Sequence, residues 1–244
     1  MTYMRRRHGG RLRRYILRIV VVGLAILLAL VLSGLGYNLS LPGVGDAKAR
    51  VQQILSLHHG ALGTLPVPAK LGAAIVAVED EHFYSNVALN VFDGAARAAL
   101  ASFHANGDPG GSTIAQQLAK QLYGGGAGGG ATLQEIGLGV KLALSYSKVE
   151  ILKMYLNAIY FGNGYWGYVA AARGYFGADP NDLTWGEAAM LAGLPEAPSA
   201  YDPLQHLALA KQRQRHVLDQ LVVNHYLSTA QANAAYATAL PLRH

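Results

Sequence analysis

Apolar residues fall along this chain in two regimes. From Ile19 to Tyr37 they form one uncharged run of Leu, Val, Ile, Ala and small residues. Beyond Tyr37 they come as short stripes at helical spacing, broken by glycine, proline and polar turns. The first run, as a helix, covers roughly 28 Å, close to the hydrocarbon thickness of a bilayer. The stripes predict helices over 46–59, with Val51, Ile54, Leu55 and His58 on one face, over 69–80 and over 151–157. A further one is predicted over 188–194, and two more after Leu204, separated near 224–228. Residues 83–104 are rich in Ala, Leu, Val and Phe, with Asp93 and Arg97 spaced as a helix-surface pair. No alternating strand pattern is sustained and no repeat is present, so the expected class is mostly α.

Helix starts are marked by a recurring device, a hydroxyl residue followed three places later by Glu or Gln. It occurs at Thr113 with Gln116, Thr132 with Glu135, Ser147 with Glu150, Thr184 with Glu187 and Ser228 with Gln231. Capping alone accounts for Glu150 and Glu187, and on spacing alone for Glu135 as well. Ser145 and Lys148 match S-x-x-K, but no K-T-G accompanies them and Ser147 is better used as a cap. Residues 124–130 are nearly all glycine, either a lid or slack. The aromatic turn over 159–167 suits core packing or stacking on sugar rings.

Charge changes the picture at one end only. The formal net charge is +6, but Arg5, Arg6, Arg7, Arg11, Arg13, Arg14 and Arg18 precede the apolar run with no acid among them. The remainder carries 13 Lys and Arg against 14 Asp and Glu, so the high isoelectric point does not argue for nucleic acid. Arginines on the N-terminal flank predict a cytoplasmic arm over 1–18, an uncleaved membrane anchor over 19–37, a linker over 38–45 and an extracytoplasmic domain over 46–244. With no cysteine, disulfides, a thiol nucleophile and Cys-ligated zinc are excluded. The histidines show no metal-ligand spacing.

Two stretches carry candidate chemistry. In 110–120, two glycines lead to the Thr113 cap, a helix N-terminus with backbone N–H groups and a positive dipole end that suit a phosphate or pyrophosphate. Lys120 lies two turns on, on the same face. An ordinary loop-to-helix junction explains the same residues. Glu79 ends an apolar helix, next to Asp80 and Glu81. The dipole's negative end and the apolar run disfavour its ionised form, as a general base working near neutrality needs. A solvated acidic turn is the plainer alternative.

Together these segments resemble a family 51 glycosyltransferase, the peptidoglycan polymerase domain of class A penicillin-binding proteins and of monofunctional transglycosylases. The resemblance covers roughly residues 65–203. Glu79-Asp80-x-x-Phe83 resembles the family's first motif, and Gly110-Gly111-Ser112-Thr113-Ile114-x-Gln116-Gln117-x-x-Lys120 its second nearly letter for letter. Lys148-x-x-Ile151-Leu152-x-x-Tyr155-Leu156-Asn157 resembles a third, and residues 188–193 with Pro195, Pro198 and Ser199 the last.

The resemblance implies a lysozyme-like, mostly α domain behind a single transmembrane helix of the plasma membrane, with a membrane-dipping jaw near 83–104. It implies polymerisation of lipid II onto a lipid-linked glycan strand, with inversion and release of undecaprenyl pyrophosphate. Glu79 would be the base, and Asp80, Phe83, Ser112, Thr113, Gln116, Gln117, Lys120, Lys148, Tyr155 and Asn157 would contact substrate or pyrophosphate. Glu135 would be the second catalytic carboxylate, helping a divalent cation, Mg²⁺ or Mn²⁺. The chain departs from the pattern where Arg and Lys usually precede that carboxylate: Ala131 and Thr132 stand there. Asn86 and Ala88 replace a His and a Gly. No transpeptidase domain follows in this sequence, so a monofunctional polymerase is expected, with partners in a cell-wall synthesis complex. A lipid II-binding scaffold without turnover and a muramidase-type hydrolase are the rival expectations.

Overall fold

The computed structural model describes residues 6–63, 66–84, 113–124 and 133–243, with side chains from residue 13 onward. The chain divides into two compact units, one ending at Pro42 and one beginning at Gly43. The first is built on α1 (Arg6–Ser40), a helix of 35 residues whose apolar side chains are exposed from residue 13 onward. From Arg13 to Ser40 it is long and apolar enough to cross a bilayer. It runs three residues past the apolar run, into the predicted linker.

The second unit is helical throughout its described residues, where the sole β feature is an isolated bridge between Tyr160 and Trp166. Its helices are α2 (Ala47–Leu57), α3 (Ala69–Glu79), α4 (Ile114–Tyr123), α5 (Leu133–Ser145) and α6 (Lys148–Ala158). They continue with α7 (Tyr168–Phe176), α8 (Trp185–Gly193), α9 (Leu207–Val223) and α10 (Thr229–Ala237). The expected caps form at α4, α6, α8 and α10, each with both reciprocal hydrogen bonds. The one expected at Thr132 lies outside the described residues, as do the jaw segment beyond Tyr84 and the glycine run.

Packing follows the apolar faces. α8 is buried from Gly186 to Gly193 and packs with α3 and α9, which also pack on each other; Leu71, Ala74 and Ile75 of α3 and Val217, Leu218 and Leu221 of α9 are buried. Each such aliphatic side chain removed from water contributes about 1.5–3 kcal/mol. A second cluster joins α4 to α5 and α6. There Gly139 sits so close that a Cβ would lie 2.9 Å from Gln116 Cγ and 3.0 Å from its Cα. The two helices touch backbone to backbone at that point.

The aromatic turn proves to be largely core. Phe161 is fully buried and accepts a hydrogen bond on its carbonyl from the Tyr175 hydroxyl at 3.0 Å. The Trp166 ring stacks on His58, centroids 4.1 Å apart and 8° from parallel. The turn continues into α7, which no hydroxyl or carboxylate cap announces. It starts at Gly167 with φ +77° and ends at Gly177 with φ +65°, both conformations that favour glycine.

Candidate active site

Three helix ends meet around Glu79. It is the last residue of α3, as the apolar periodicity requires, and is half-buried. Gln117, one turn into α4, donates from Nε2 to Glu79 Oε2 at 2.7 Å. The Tyr155 hydroxyl, on α6, donates to the other end of the same amide, Gln117 Oε1, at 2.8 Å. Tyr155 is 1% exposed, and burial first, then the negative charge of Glu79, pushes its hydroxyl well above the usual phenol range. It therefore stays protonated and serves as a donor.

Asp80 does something the sequence did not announce. Its Oδ2 accepts from the Ile114 backbone N–H at 3.2 Å, so a carboxylate of the protein already sits at the start of α4. The Thr113 N–H donates to Gln116 Oε1 at 3.0 Å and the Gln116 N–H to Thr113 Oγ1 at 3.3 Å. The Gln117 N–H goes to the Thr113 carbonyl at 3.0 Å. The expected open N-terminus is thus mostly filled by the protein's own acceptors, and Gln116, 6% exposed, is committed to the cap. Positive charge for an anion falls instead to side chains.

Two lysines offer it. Lys120 is exposed on α4, three residues beyond Gln117 and so on a neighbouring face. Lys148, at the start of α6, lies with Nζ 4.8 Å from the centre of the Phe83 ring. Burial lowers its pKa below the ordinary lysine value, and the nearby charge of Asp80 partly opposes this. Phe83 is 1% exposed, so its role here is to floor the ammonium rather than to present a free face.

The remaining sequence candidates separate. Asn157 is 1% exposed, accepts from the Gly63 N–H at 2.7 Å and donates to the Lys153 carbonyl at 2.8 Å. That makes it a staple for the 61–63 segment, apart from the Glu79 cluster. Ser112 lies outside the described residues, with Ala131 and Thr132. Glu135, in the first turn of α5, is 7% exposed. Among the described residues no group of three or more His, Asp or Glu side chains could hold a metal ion. One buried carboxylate suits a hard cation only where a diphosphate supplies most of the oxygens.

What the sequence reading missed is connective. Asp80 and Ile114 are 34 residues apart and Gln117 is 38 from both Glu79 and Tyr155, so no local pattern could pair them.

Comparisons with known proteins point one way. A family model described as Transglycosylase matches residues 49–222. Penicillin-binding protein 1A of Neisseria flavescens is 40% identical over 170 residues, covering 69% of this chain and 21% of that protein. A Cupriavidus necator protein whose name gives it provisionally as a transglycosylase is 37% identical over 181 residues, 72% of this chain and 77% of its own length. The crystal structure of penicillin-binding protein 1A from Haemophilus influenzae superposes with TM-score 0.46 and 26% identity, over 75% of this chain and 18% of that one. The chain spans about a fifth of the length of its Neisseria relatives.

Proposed function

The chain belongs to the transglycosylase family, and from that premise we propose that it polymerises lipid II at the outer surface of the plasma membrane. Glu79 takes the proton from the acceptor sugar's 4-hydroxyl as that oxygen attacks the anomeric carbon of the lipid-linked strand. The bond to undecaprenyl pyrophosphate breaks with inversion. Negative charge grows on the leaving diphosphate, and Lys120 and Lys148 stabilise it, while Glu135 would hold a divalent cation. That cation, when bound, neutralises diphosphate charge. The seven arginines before the apolar run keep the N-terminus in the cytoplasm, and the second unit outside.

The observation that carries this reading is the 2.7 Å bond from Gln117 to Glu79, which joins the candidate base to the helix of the candidate diphosphate site. The test uses the full chain in detergent with lipid II and Mg²⁺ or Mn²⁺. Glycan strands are expected from the wild type, far fewer from Glu79→Gln, and moenomycin is expected to inhibit; absence of polymer from the wild type overturns the proposal. For sidedness, a single cysteine placed at exposed Asn163 should react with an impermeant maleimide only from outside the cell.

One observation favours a second reading, a lipid II-binding scaffold: uncharged Ala131 and Thr132 precede Glu135 where the resemblance expects a basic pair. Lipid II binding without product, even after Ala131→Arg with Thr132→Lys, would establish it.

A further inference from the structure

Glu79, Gln117 and Tyr155 form a chain of hydrogen bonds with a fixed direction. Tyr155 donates to Gln117 Oε1, and Gln117 Nε2 donates to Glu79 Oε2. A glutamine amide can be turned over, which would exchange its donor for its acceptor. In the turned form Oε1 would face the carboxylate oxygen, and two acceptors would repel while Glu79 is ionised. The Tyr155 hydroxyl stands against that turn, since it offers its proton to Oε1. Tyr155 is held rigidly for the purpose: α6 is buried around it, from Ile151 to Ala158 with only Lys153 excepted.

We propose that Tyr155 is a positioning residue for Glu79, acting through Gln117, in the reaction proposed above. Its hydroxyl fixes which end of the amide meets the carboxylate. The amide then holds the carboxylate's orientation and favours its ionised, proton-accepting form. This opposes the dipole of α3, whose negative end disfavours the anion at that same residue. These two fields act on the base in opposite directions, and Tyr155 supports one of them.

Among the described residues, Glu81 and His82 follow this corner in the chain and lie 3.6 Å from one another, Lys70 of α3 is bonded to the Leu183 carbonyl, and Lys141 lies on α5. Asp80 adjoins Glu79 in the chain and is bonded to Ile114, and Lys148 lies beside Asp80. Lys120 follows on α4 and Glu135 lies on α5, while Glu150 and Lys153 are the other charges of α6. On α8, which lies against α3, Glu187 is spent on Thr184. On α9, Lys211 is bonded to the Tyr236 carbonyl and Arg213 to Glu196. Arg215 pairs with Asp219, and His216 is exposed.

The experiment titrates the full chain, labelled with ¹³C at glutamate carboxyls, in detergent and without substrate. The Glu79 resonance is the one lost in Glu79→Gln. Tyr155→Phe should raise its titration midpoint by about half a unit and Gln117→Met by about one unit. The acid limb of polymerisation should move the same way, with kcat reduced more than KM. Thermal melts of both variants register any loss of packing separately. A midpoint unchanged in folded Tyr155→Phe overturns the inference, whatever Gln117→Met does and whether or not the wild type makes polymer. A moved midpoint with no polymer from the wild type supports the inference and rejects the function instead.

Discussion

Helices α4 and α8 start in the same way: a threonine caps the first turn and the side chain three places on returns the bond. Past that turn they diverge. α8 is buried from Gly186 to Gly193 and accepts side-chain bonds from α9 near both ends, Gln214 Nε2 to the Gly186 carbonyl at 2.8 Å and Arg213 Nε to the Gly193 carbonyl at 3.4 Å. α4 buries one face and keeps Gln117 and Lys120 on another, where Gln117 meets Glu79. The caps differ too. Glu187 supplies α8 with its own carboxylate, whereas Gln116 is neutral and α4 takes a carboxylate from outside, Asp80. Lending that charge ties α3 to α4. The same starting device builds a core helix in one place and, in the other, a helix joined to the proposed base Glu79.

Replacing the carboxylate beside each helix tests the contrast most severely. Glu79→Gln should lower polymerisation by about 10²–10⁴-fold at an unchanged melting temperature, the scale of a lost general base. Glu187→Gln keeps an acceptor oxygen for Thr184 and should leave the rate near wild type. Equal losses in both variants, measured on the same lipid II preparation, would erase the functional difference between the two helices.

Next in size is a test of packing. A Cβ at Gly139 would strike the Gln116 backbone, with Cα at 3.0 Å and N at 3.1 Å, and neither helix can yield locally. Gly139→Ala should therefore cost about 1–3 kcal/mol of unfolding free energy. At Gly193 the obstruction is side chain rather than backbone: Arg213 Cγ lies at 2.7 Å, and shifting it strains the Arg213 bonds to Glu196 and the Gly193 carbonyl. Gly193→Ala should cost less, and a helical glycine replaced by alanine recovers some backbone entropy. Denaturant melts of the two variants decide the order.

Smaller again is the borrowed charge. Asp80→Ala removes the acceptor from the Ile114 N–H and should cost about 1 kcal/mol. Adding Gln116→Glu gives α4 a local carboxylate like that of α8 and should restore most of the stability. The rate should stay low, because a local cap does not tie α3 to α4. Full recovery of polymerisation in the double variant would mean that Asp80 acts only as a cap.

These contrasts also mark what could be read from residue order. The starts of α4, α6, α8 and α10 were legible, because a capping box is complete within four residues. α7 was not: its N-cap is Gly167, held at φ +77°, and a glycine carries no side-chain signal. The position of Glu79 at a helix end followed from the apolar run before it. Its bond to Gln117, and that of Asp80 to Ile114, depend on how α3 meets α4, which spacing does not encode. Asn157 shows the reverse: the resemblance named it for substrate, and spacing gave no sign of the bond by which it fastens Gly63. For it the resemblance supplied a motif but no partner.

The third box, at α6, should give the smallest effect. Here Glu150 also receives Lys48 Nζ at 2.6 Å, on the surface. That bond, ahead of those from the Ser147 backbone and hydroxyl, lowers the Glu150 carboxyl from 4.5 to about 2, and Glu150 in turn raises Lys48. The depressed carboxylate stabilises the fold above pH 4.5 and loses that effect as pH falls through 2. The raised ammonium contributes below its ordinary value, about 10.4, and loses its effect above it. Between those limits Lys48→Ala should lower the melting temperature only marginally, because an exposed pair is screened by solvent and salt. The difference from wild type should shrink in molar salt and vanish near pH 2, and polymerisation should not change. A large salt-resistant loss would place this surface box with α8 as part of the core.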